Sequence, residues 1–341
     1  MSASPAPRRR QRKKTWSSFG PIQRKPNDYE IVTHNMNHTT GDTPLEMGPD
    51  VHGNVWLRKY RDGIEVAVPS WDDFRDPDRV TYDSYVKMQD EAEGFVDKLL
   101  ENFTAEESSD DGLSSDCLTL LGEALTPQRY LVHAQQMLSA YVQQLAPSSY
   151  VANCASFQAA DQLRRVQRVA YRTKQLDTAH PDRGFGSNER AIWENDGRWQ
   201  PIRKVLEHLL AVYAWDEAFV AYNLVVRPVL DELFLGQLAR AARASGDELD
   251  ALVLENLKQD SRRHDRWAVA LSKFAIEENP ENRDTLRRLS DKWVAVVDEV
   301  ITAGAKLITD HVPDLPSESV ERPVRYRLAQ IRAEAGLAAD A

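Results

Sequence analysis

Apolar residues recur at helical spacing over most of the chain beyond about residue 80, and this periodicity most constrains the fold. Thr126-Pro127 reads as a helix cap followed by a proline at the first helical position. The apolar positions then repeat every three or four residues: Tyr130, Leu131, Ala134, Leu138, Tyr141, Val142 and Leu145. Pro147-Ser148-Ser149 ends this helix and starts the next, whose stripe consists of Val151, Ala155, Ala159, Val166, Val169 and Leu176.

Further long helices are predicted on the same grounds over residues 201–226, 247–276 and 280–310. Arg227-Pro228 should kink or break one of them, because proline removes a backbone donor in mid-helix. Four helices of roughly 25–30 residues give a bundle about 40 Å long. The sequence therefore predicts an all-α fold, with a helical bundle over residues 81–315 and a C-terminal helix and tail over residues 316–341.

The first 80 residues lack this periodicity. Residues 1–12 are predicted to be a disordered basic tail. Residues 13–80 are rich in turn residues and also in aromatic rings, which predicts an extended, mostly irregular N-terminal arm packed on something larger. A short hairpin is expected around Asp62-Gly63. Five rings of the arm are expected to anchor a subunit interface, with packing on the chain itself as the alternative: Trp16, Phe19, Tyr29, Trp71 and Phe74.

The net charge of −10 is unevenly placed. Residues 1–25 carry eight Lys and Arg and no acid, so the rest of the chain carries −18. A basic tail on an acidic body favours docking to an acidic surface. Phosphate would repel the body, so no nucleic-acid partner is expected. No apolar run suits a bilayer span or a secretory signal, so we expect a cytoplasmic protein without a membrane partner.

The segment KQDSRRHDRW, residues 258–267, raises the question of a metal site. Asp260 and His264 lie four residues apart and share the inward face of a predicted helix. A di-metal centre in a helical bundle needs Glu-x-x-His on two helices, and none of the eight histidines has a Glu three residues before it. Asp177-x-x-His180 is the only acidic instance, and it falls at a helix end. The pair Asp260 and His264 is therefore expected to be a buried, hydrogen-bonded couple rather than a ligand set.

Two segments carry a resemblance to a known family. They are RKPNDYEIVTH, residues 24–34, and WDDFRDPDRVTYDSYV, residues 71–86. With the helical order that follows, they resemble the small (β) subunit of the hydroxylase of soluble diiron multicomponent monooxygenases. The likeness spans about residues 13–310 and is nearest to the propane, acetone and phenol monooxygenases of actinobacteria. It implies a ferritin-like bundle that lacks the diiron ligands of its paralogue, the large (α) subunit.

The resemblance can be tested residue by residue. The large subunits carry Asp-Glu-x-Arg-His on each of two helices. This chain has Asp-Gln-Leu-Arg-Arg from residue 161 and Asp-Ser-Arg-Arg-His from residue 260. Gln162, Arg165 and Ser261 thus replace ligands and only His264 persists, while the two isolated Glu positions fall near Val132 and Arg227. The resemblance implies that this chain binds no metal, and Arg165 is a hypothetical substitute for the metal's charge.

The resemblance also implies partners and an activity. The chain would pair with the α subunit in an α2β2 core and contribute to hydroxylation of propane or a related small substrate by an NADH-dependent monooxygenase, without an active site of its own. The diiron centre would lie in the α subunit, and electrons would arrive from a separate reductase with FAD and an iron–sulfur cluster, assisted by a coupling protein. Two alternatives stay open: a self-contained di-metal oxidase or storage protein, and a nucleic-acid-binding protein that uses the basic tail.

Overall fold

The computed structural model describes residues 19, 22, 24–34, 50–105 and 110–338. The predicted basic tail and Trp16 lie outside these residues. The described chain is helical, with no strand, and confirms the all-α class. Its long helices are α3 (Tyr82–Ala105), α5 (Gln128–Gln144), α6 (Ser149–Ala179), α12 (Glu248–Glu278), α13 (Asn282–Thr309) and α14 (Ser317–Glu334).

Shorter helices connect the long ones: α1 (Asp28–Thr33), α2 (His52–Leu57), α4 (Ser115–Leu120), α7 (Glu189–Asn195), α8 (Gln200–Leu210), α9 (Trp215–Phe219), α10 (Arg227–Asp231) and α11 (Leu238–Ala244). Two of the long helices begin at side-chain caps, as their sequences predict. Ser148 accepts a hydrogen bond from the backbone N–H of Val151 at the start of α6. Asp247 accepts one from Asp250 at the start of α12. The predicted boundary between α5 and α6 is confirmed, and the two form an antiparallel pair.

The segment predicted as one helix over 201–226 is interrupted earlier than expected. Helix α8 ends at Leu210, and α9 begins at Trp215. Tertiary contacts hold the break: Tyr141 Oη donates to the carbonyl of Tyr213 at 2.7 Å, and the Trp56 ring packs edge-on against Tyr213. The break contains neither proline nor glycine, so no local signal marks it.

At Arg227-Pro228, where a kink or a break was predicted, the helical path is continuous. The chain runs from α9 through α10 to α11 by π-helical turns at Val220–Val226 and Glu232–Gln237. Pro228 occupies the second residue of α10, directly after the first of these turns. Single π-turns shift the hydrogen-bond register, so a proline there is accommodated without ending the helix.

The predicted hairpin around Asp62-Gly63 is wrong. Helix α2 continues there into a π-helical turn, Arg58–Asp62, and ends at Gly63. The arm then crosses the bundle as irregular chain and a 3-10 turn, Trp71–Asp73. Val66 and Phe74 join a hydrophobic core with α6, α12 and α13, while a second core fills the bundle between α5, α8 and α13. The arm is thus packed on its own bundle.

Candidate functional site

The centre of the bundle brings together the four side chains that the sequence comparison within the family singled out as replaced or retained ligands. Gln162 and Arg165 come from α6, and Ser261 and His264 from α12. With Asp231 of α10 they line a void of about 10 Å³. That is about the room of one water molecule. We call these side chains, with Arg227, Asp161 and their direct partners, the central network.

Arg165 fills the centre from the α6 side. Its guanidinium donates to Asp231 Oδ1 at 3.1 Å and to Gln128 Oε1 at 2.7 Å. Burial lowers the pKa of Arg165, and the charge of Asp231 opposes that shift. Asp231 is the only carboxylate that Arg165 contacts among the described residues. The hypothesis that Arg165 places a positive charge inside the bundle agrees with this geometry.

A second buried guanidinium, that of Arg227, faces the first across Asp231. It donates to Asp231 Oδ2 at 3.1 Å and to Asp265 Oδ1, while Ser261 Oγ donates to Asp231 Oδ2 at 2.8 Å. Burial alone would lower the pKa of Arg227, but Asp265 and Asp231 outweigh it and raise that pKa. Arg327 of α14 holds the other oxygen of Asp265. Each buried carboxylate here therefore meets two guanidiniums.

His264 is buried, as predicted, but its partner differs from the one expected. Its Nε2 lies 2.7 Å from Asp161 Oδ2 of α6, not beside Asp260. Burial, reinforced by Arg227 and Arg263, lowers the pKa of His264 to about 3. Burial raises the pKa of Asp161 to about 6 in spite of Arg263 beside it. At neutral pH a neutral imidazole therefore donates from Nε2 to a carboxylate.

Asp260 is also buried, yet its hydrogen bonds go elsewhere. Its carboxylate accepts from Arg164 of α6 at 2.7 Å and from Gln89 of α3 at 2.9 Å. Gln89 also donates to Asp161 at 2.9 Å, so one amide joins both carboxylates. The expected couple of Asp260 with His264 is wrong because the two side chains share a helix face but reach across to different residues.

Asp231, Gln128 and Arg227 are functional positions that the sequence reasoning missed or left without a role. A signal was present: Arg227 and Asp231 stand four residues apart in VAYNLVVRPVLDELF, residues 220–234, which is otherwise largely apolar. Oppositely charged residues at that spacing in an apolar helix indicate a buried pair.

The central network does not suit a diiron centre. Two guanidiniums occupy the site, and both would repel a metal cation. Gln162 Oε1 and His264 Nδ1 lack hydrogen-bond partners, but two neutral donors are too few for an iron site. Among the described residues no group of three His, Cys, Asp or Glu could hold a metal ion.

The rings predicted to anchor an interface lie against the chain itself. Tyr29 packs on Tyr150 with centroids 5.8 Å apart, and Phe74 packs on Phe274 at 5.8 Å. Tyr29 is 4% exposed and Phe74 is 1% exposed. The half-buried rings of Trp71 and Phe19 contact Trp215 and His34, respectively. The arm rings that the structure describes thus hold the arm onto the bundle.

In the described part of the chain, no helix is both long enough and apolar enough to span a bilayer.

Known proteins were compared with the chain at the level of sequence and fold. The β subunit of the toluene-4-monooxygenase hydroxylase component of Ectopseudomonas mendocina is 36% identical over 316 residues, which are 92% of this chain and 95% of that one. The small subunit of the propane 2-monooxygenase hydroxylase component of Gordonia sp. (strain TY-5) is 24% identical over 301 residues, covering 83% and 77%. The toluene-system subunit thus shares more identity than this member of the propane branch, which was the branch expected from the sequence.

Solved structures agree with these relatives. A chain of the structure of resting toluene 4-monooxygenase with bound toluene superposes with a TM-score of 0.83 at 35% identity, covering 89% of this chain and 99% of that one. Residues 56–279 match the profile of the methane/phenol/alkene hydroxylase family. The toluene-system and propane-system relatives named above are hydroxylase β or small subunits, and the chain belongs to the methane/phenol/alkene hydroxylase family.

Proposed function

We propose that this chain is the non-catalytic β subunit of the hydroxylase of a multicomponent diiron monooxygenase. One observation carries the proposal: in the centre of the bundle, Arg165 and Arg227 converge on Asp231 and leave room for about one water. The carboxylates of the network are already neutralised by guanidiniums. A chain with this network retains the helical bundle but has no metal site at its centre with which to catalyse the reaction.

The complex takes its activity from the other subunits. The diiron centre lies in the large α subunit, and two αβ pairs form the α2β2 core. Electrons come from NADH through a separate reductase that carries FAD and an iron–sulfur cluster, with a coupling protein, so the system works in the cytoplasm. The relatives are named for toluene and propane. We propose that the substrate of the complex is a small hydrocarbon or aromatic molecule of a size similar to toluene or propane.

The arm is proposed to contribute to the contact with the α subunit. Tyr29 and Phe74 fix it to the bundle, so the surface it offers consists of exposed apolar side chains on α1 and α2. Ile31 is 49% exposed, Val32 48% and Val55 47%. Deletion of residues 1–40 should weaken co-elution with the α subunit in size-exclusion chromatography, and unchanged co-elution would refute the contact.

Iron content tests the subunit assignment. The chain expressed alone and supplied with Fe²⁺ should hold far less than one iron per chain after desalting. The same chain co-expressed with a large subunit of the hydroxylase should co-purify in a complex that contains iron. Two irons per chain in the isolated protein would overturn the proposal, because the central network would then have opened to a metal.

A further inference from the structure

Helices α5 and α6 present an outer face that lacks Asp, Glu, Lys and Arg. On α5, from Tyr130 to Gln144, the positions that are at least partly exposed are Tyr130, His133, Gln136, Met137, Ala140, Tyr141, Gln143 and Gln144. On α6, from Ser149 to Gln167, they are Ser156, Ala159, Ala160, Leu163, Val166 and Gln167. Ala170 and Tyr171 continue the α6 stripe beyond the half-buried Arg168. We call this surface the α5–α6 face.

Other parts of the described surface carry many charged residues, unlike the α5–α6 face. Charged residues make up 28% of the chain. On α13, a helix of similar length to α6, nine of the at least partly exposed residues are charged: Arg283, Asp284, Arg287, Arg288, Asp291, Lys292, Asp298, Glu299 and Lys306. The arginines of α6 that precede Gln167 point inward to the central network instead. The lack of charge is therefore a property of one face, not of the chain.

The α5–α6 face exposes large apolar side chains that the chain itself does not cover. Tyr171 is 53% exposed, Leu163 49% and Met137 39%. Depletion of charged residues and exposure of aromatic, aliphatic and Met side chains are typical of the buried centre of a protein interface. The alanines between them, Ala160 and Ala170, leave space for a helix of a partner to approach closely.

A charged border lies beside this face. Helix α3 packs along α6, where Tyr85 stacks on Phe157 and Arg168 pairs with Asp97. The exposed surface of α3 mixes apolar with charged side chains: Tyr82, Val86 and Phe95 among Asp83, Lys87, Asp90 and Glu91. An uncharged centre with a mixed border is the usual anatomy of a stable interface.

The dimensions fit a subunit contact. Helix α5 has 17 residues, so at 1.5 Å per residue it is about 25 Å long. Two helices about 10 Å apart offer a footprint of roughly 500 Å², and α3 beside them extends it towards the ~800 Å² per partner of a standard interface. An occupant must itself be largely uncharged, because a charge buried against this face would find no counter-ion.

We propose that the α5–α6 face, bordered by α3, is the surface on which the large subunit of the hydroxylase docks through an uncharged pair of its own helices. The inference rests on the proposed function, since the relatives are subunits of hydroxylase components. The contact buries Leu163, Tyr171 and Met137. A charge at Leu163 or Met137 would be left without a partner in the chain, and a charge at Tyr171 would have to be desolvated in the contact.

The test uses paired substitutions in the chain co-expressed with its large subunit. Leu163→Arg and Tyr171→Glu place a charge on the α5–α6 face. Val296→Arg on α13 and Tyr326→Glu on α14 place the same charges on residues that are 37% and 69% exposed elsewhere. Co-purification on a tag carried by the large subunit measures association, and circular dichroism of each isolated chain checks that it folds.

The first pair should lower the amount of co-purified chain at least tenfold, with melting temperatures unchanged, while the second pair should co-purify like the wild type. Retention of Leu163→Arg and Tyr171→Glu beside a bound wild type would overturn the docking surface and leave the proposed function intact. A wild-type chain that does not associate would instead refute the proposed function. If the isolated chain is a dimer that Leu163→Arg dissociates, the occupant is a second copy and the proposal is wrong.

Discussion

The contacts around Asp231 predict how much stability the chain loses when a charge of the central network is removed. Among the described residues, replacing Asp231 with Leu removes the only carboxylate that Arg165 contacts and one of the two that Arg227 contacts. A buried guanidinium left without its counter-ion costs about 3–5 kcal/mol of stability. Replacing Arg165 with Met costs less, about 1.5–3 kcal/mol, because Asp231 keeps the hydrogen bonds of Arg227 and Ser261.

Thermal unfolding followed by circular dichroism converts these costs into temperatures. For 341 residues, an unfolding entropy of about 2.1 cal/mol/K per residue amounts to roughly 0.7 kcal/mol/K. Asp231→Leu should therefore lower Tm by about 4–7 °C, and Arg165→Met by about 2–4 °C.

The double variant tests whether the two side chains are coupled. Once Arg165 is absent, the loss of Asp231 leaves no guanidinium without a carboxylate, since Arg227 retains Asp265. The double variant should thus be more stable than the sum of the single changes predicts, by about 1–3 kcal/mol. Additive losses, or a larger loss for Arg165→Met than for Asp231→Leu, would show that Asp231 does not neutralise Arg165 in the folded chain.

Three further predictions concern the arm and His264. The pKa of Glu30 is lowered to about 2, first by the hydrogen bond from Arg24 and further by Asn27 and Arg75. The stabilisation of the arm by ionised Glu30 is therefore complete above pH about 5 and is lost as the pH falls towards 2. In limited proteolysis, the arm of the wild type should be cut at pH 3, whereas the arm of Glu30→Gln should be cut at the same rate at pH 3 and pH 6. The pKa of His264, lowered to about 3, predicts that its ring resonances stay those of a neutral imidazole between pH 8 and 5, and titration near 6.5 would contradict its burial beside Arg227 and Arg263. Phe74→Ala should destabilise the chain by about 3–5 kcal/mol and the half-buried Trp71→Ala by less, measured by urea unfolding; equal losses would argue against the anchoring of the arm by Phe74.

Helices with strong local signals were the predictable part of this fold. The caps at Ser148 and Asp247 and the apolar stripes placed α5, α6 and α12 to within a few residues. The break before Trp215 could not be predicted, because contacts of Tyr213 with Tyr141 and Trp56 determine it and no residue in the break disfavours a helix. Tertiary packing there overrides the local pattern.

The sequence predicted several of the residues that lie in the central network, but not which of them form hydrogen bonds with one another. Helical spacing indicates that His264 faces inward, and the resemblance implies an inward position for Arg165. Which residue meets which depends on the rotation and axial shift of α6 against α12, and the periodicity of each helix does not determine these. His264 therefore pairs with Asp161 of the other helix rather than with Asp260 of its own.

The central network explains how a bundle of this family can fold without a metal. Four buried carboxylates surround the centre: Asp161, Asp231, Asp260 and Asp265. Four buried guanidiniums accompany them: Arg164, Arg165, Arg227 and Arg263. Each carboxylate contacts at least one of these guanidiniums, so the charges balance within the protein.

In such a network a bound cation would add uncompensated positive charge. The arginines tie α6 and α12 to α3, α10 and α14. The inward side of α6 is engaged in this balance, while its outward side carries the uncharged stripe from Ser156 to Gln167. The uncharged stripe there then requires a reason outside the chain, and a partner subunit on the α5–α6 face supplies one.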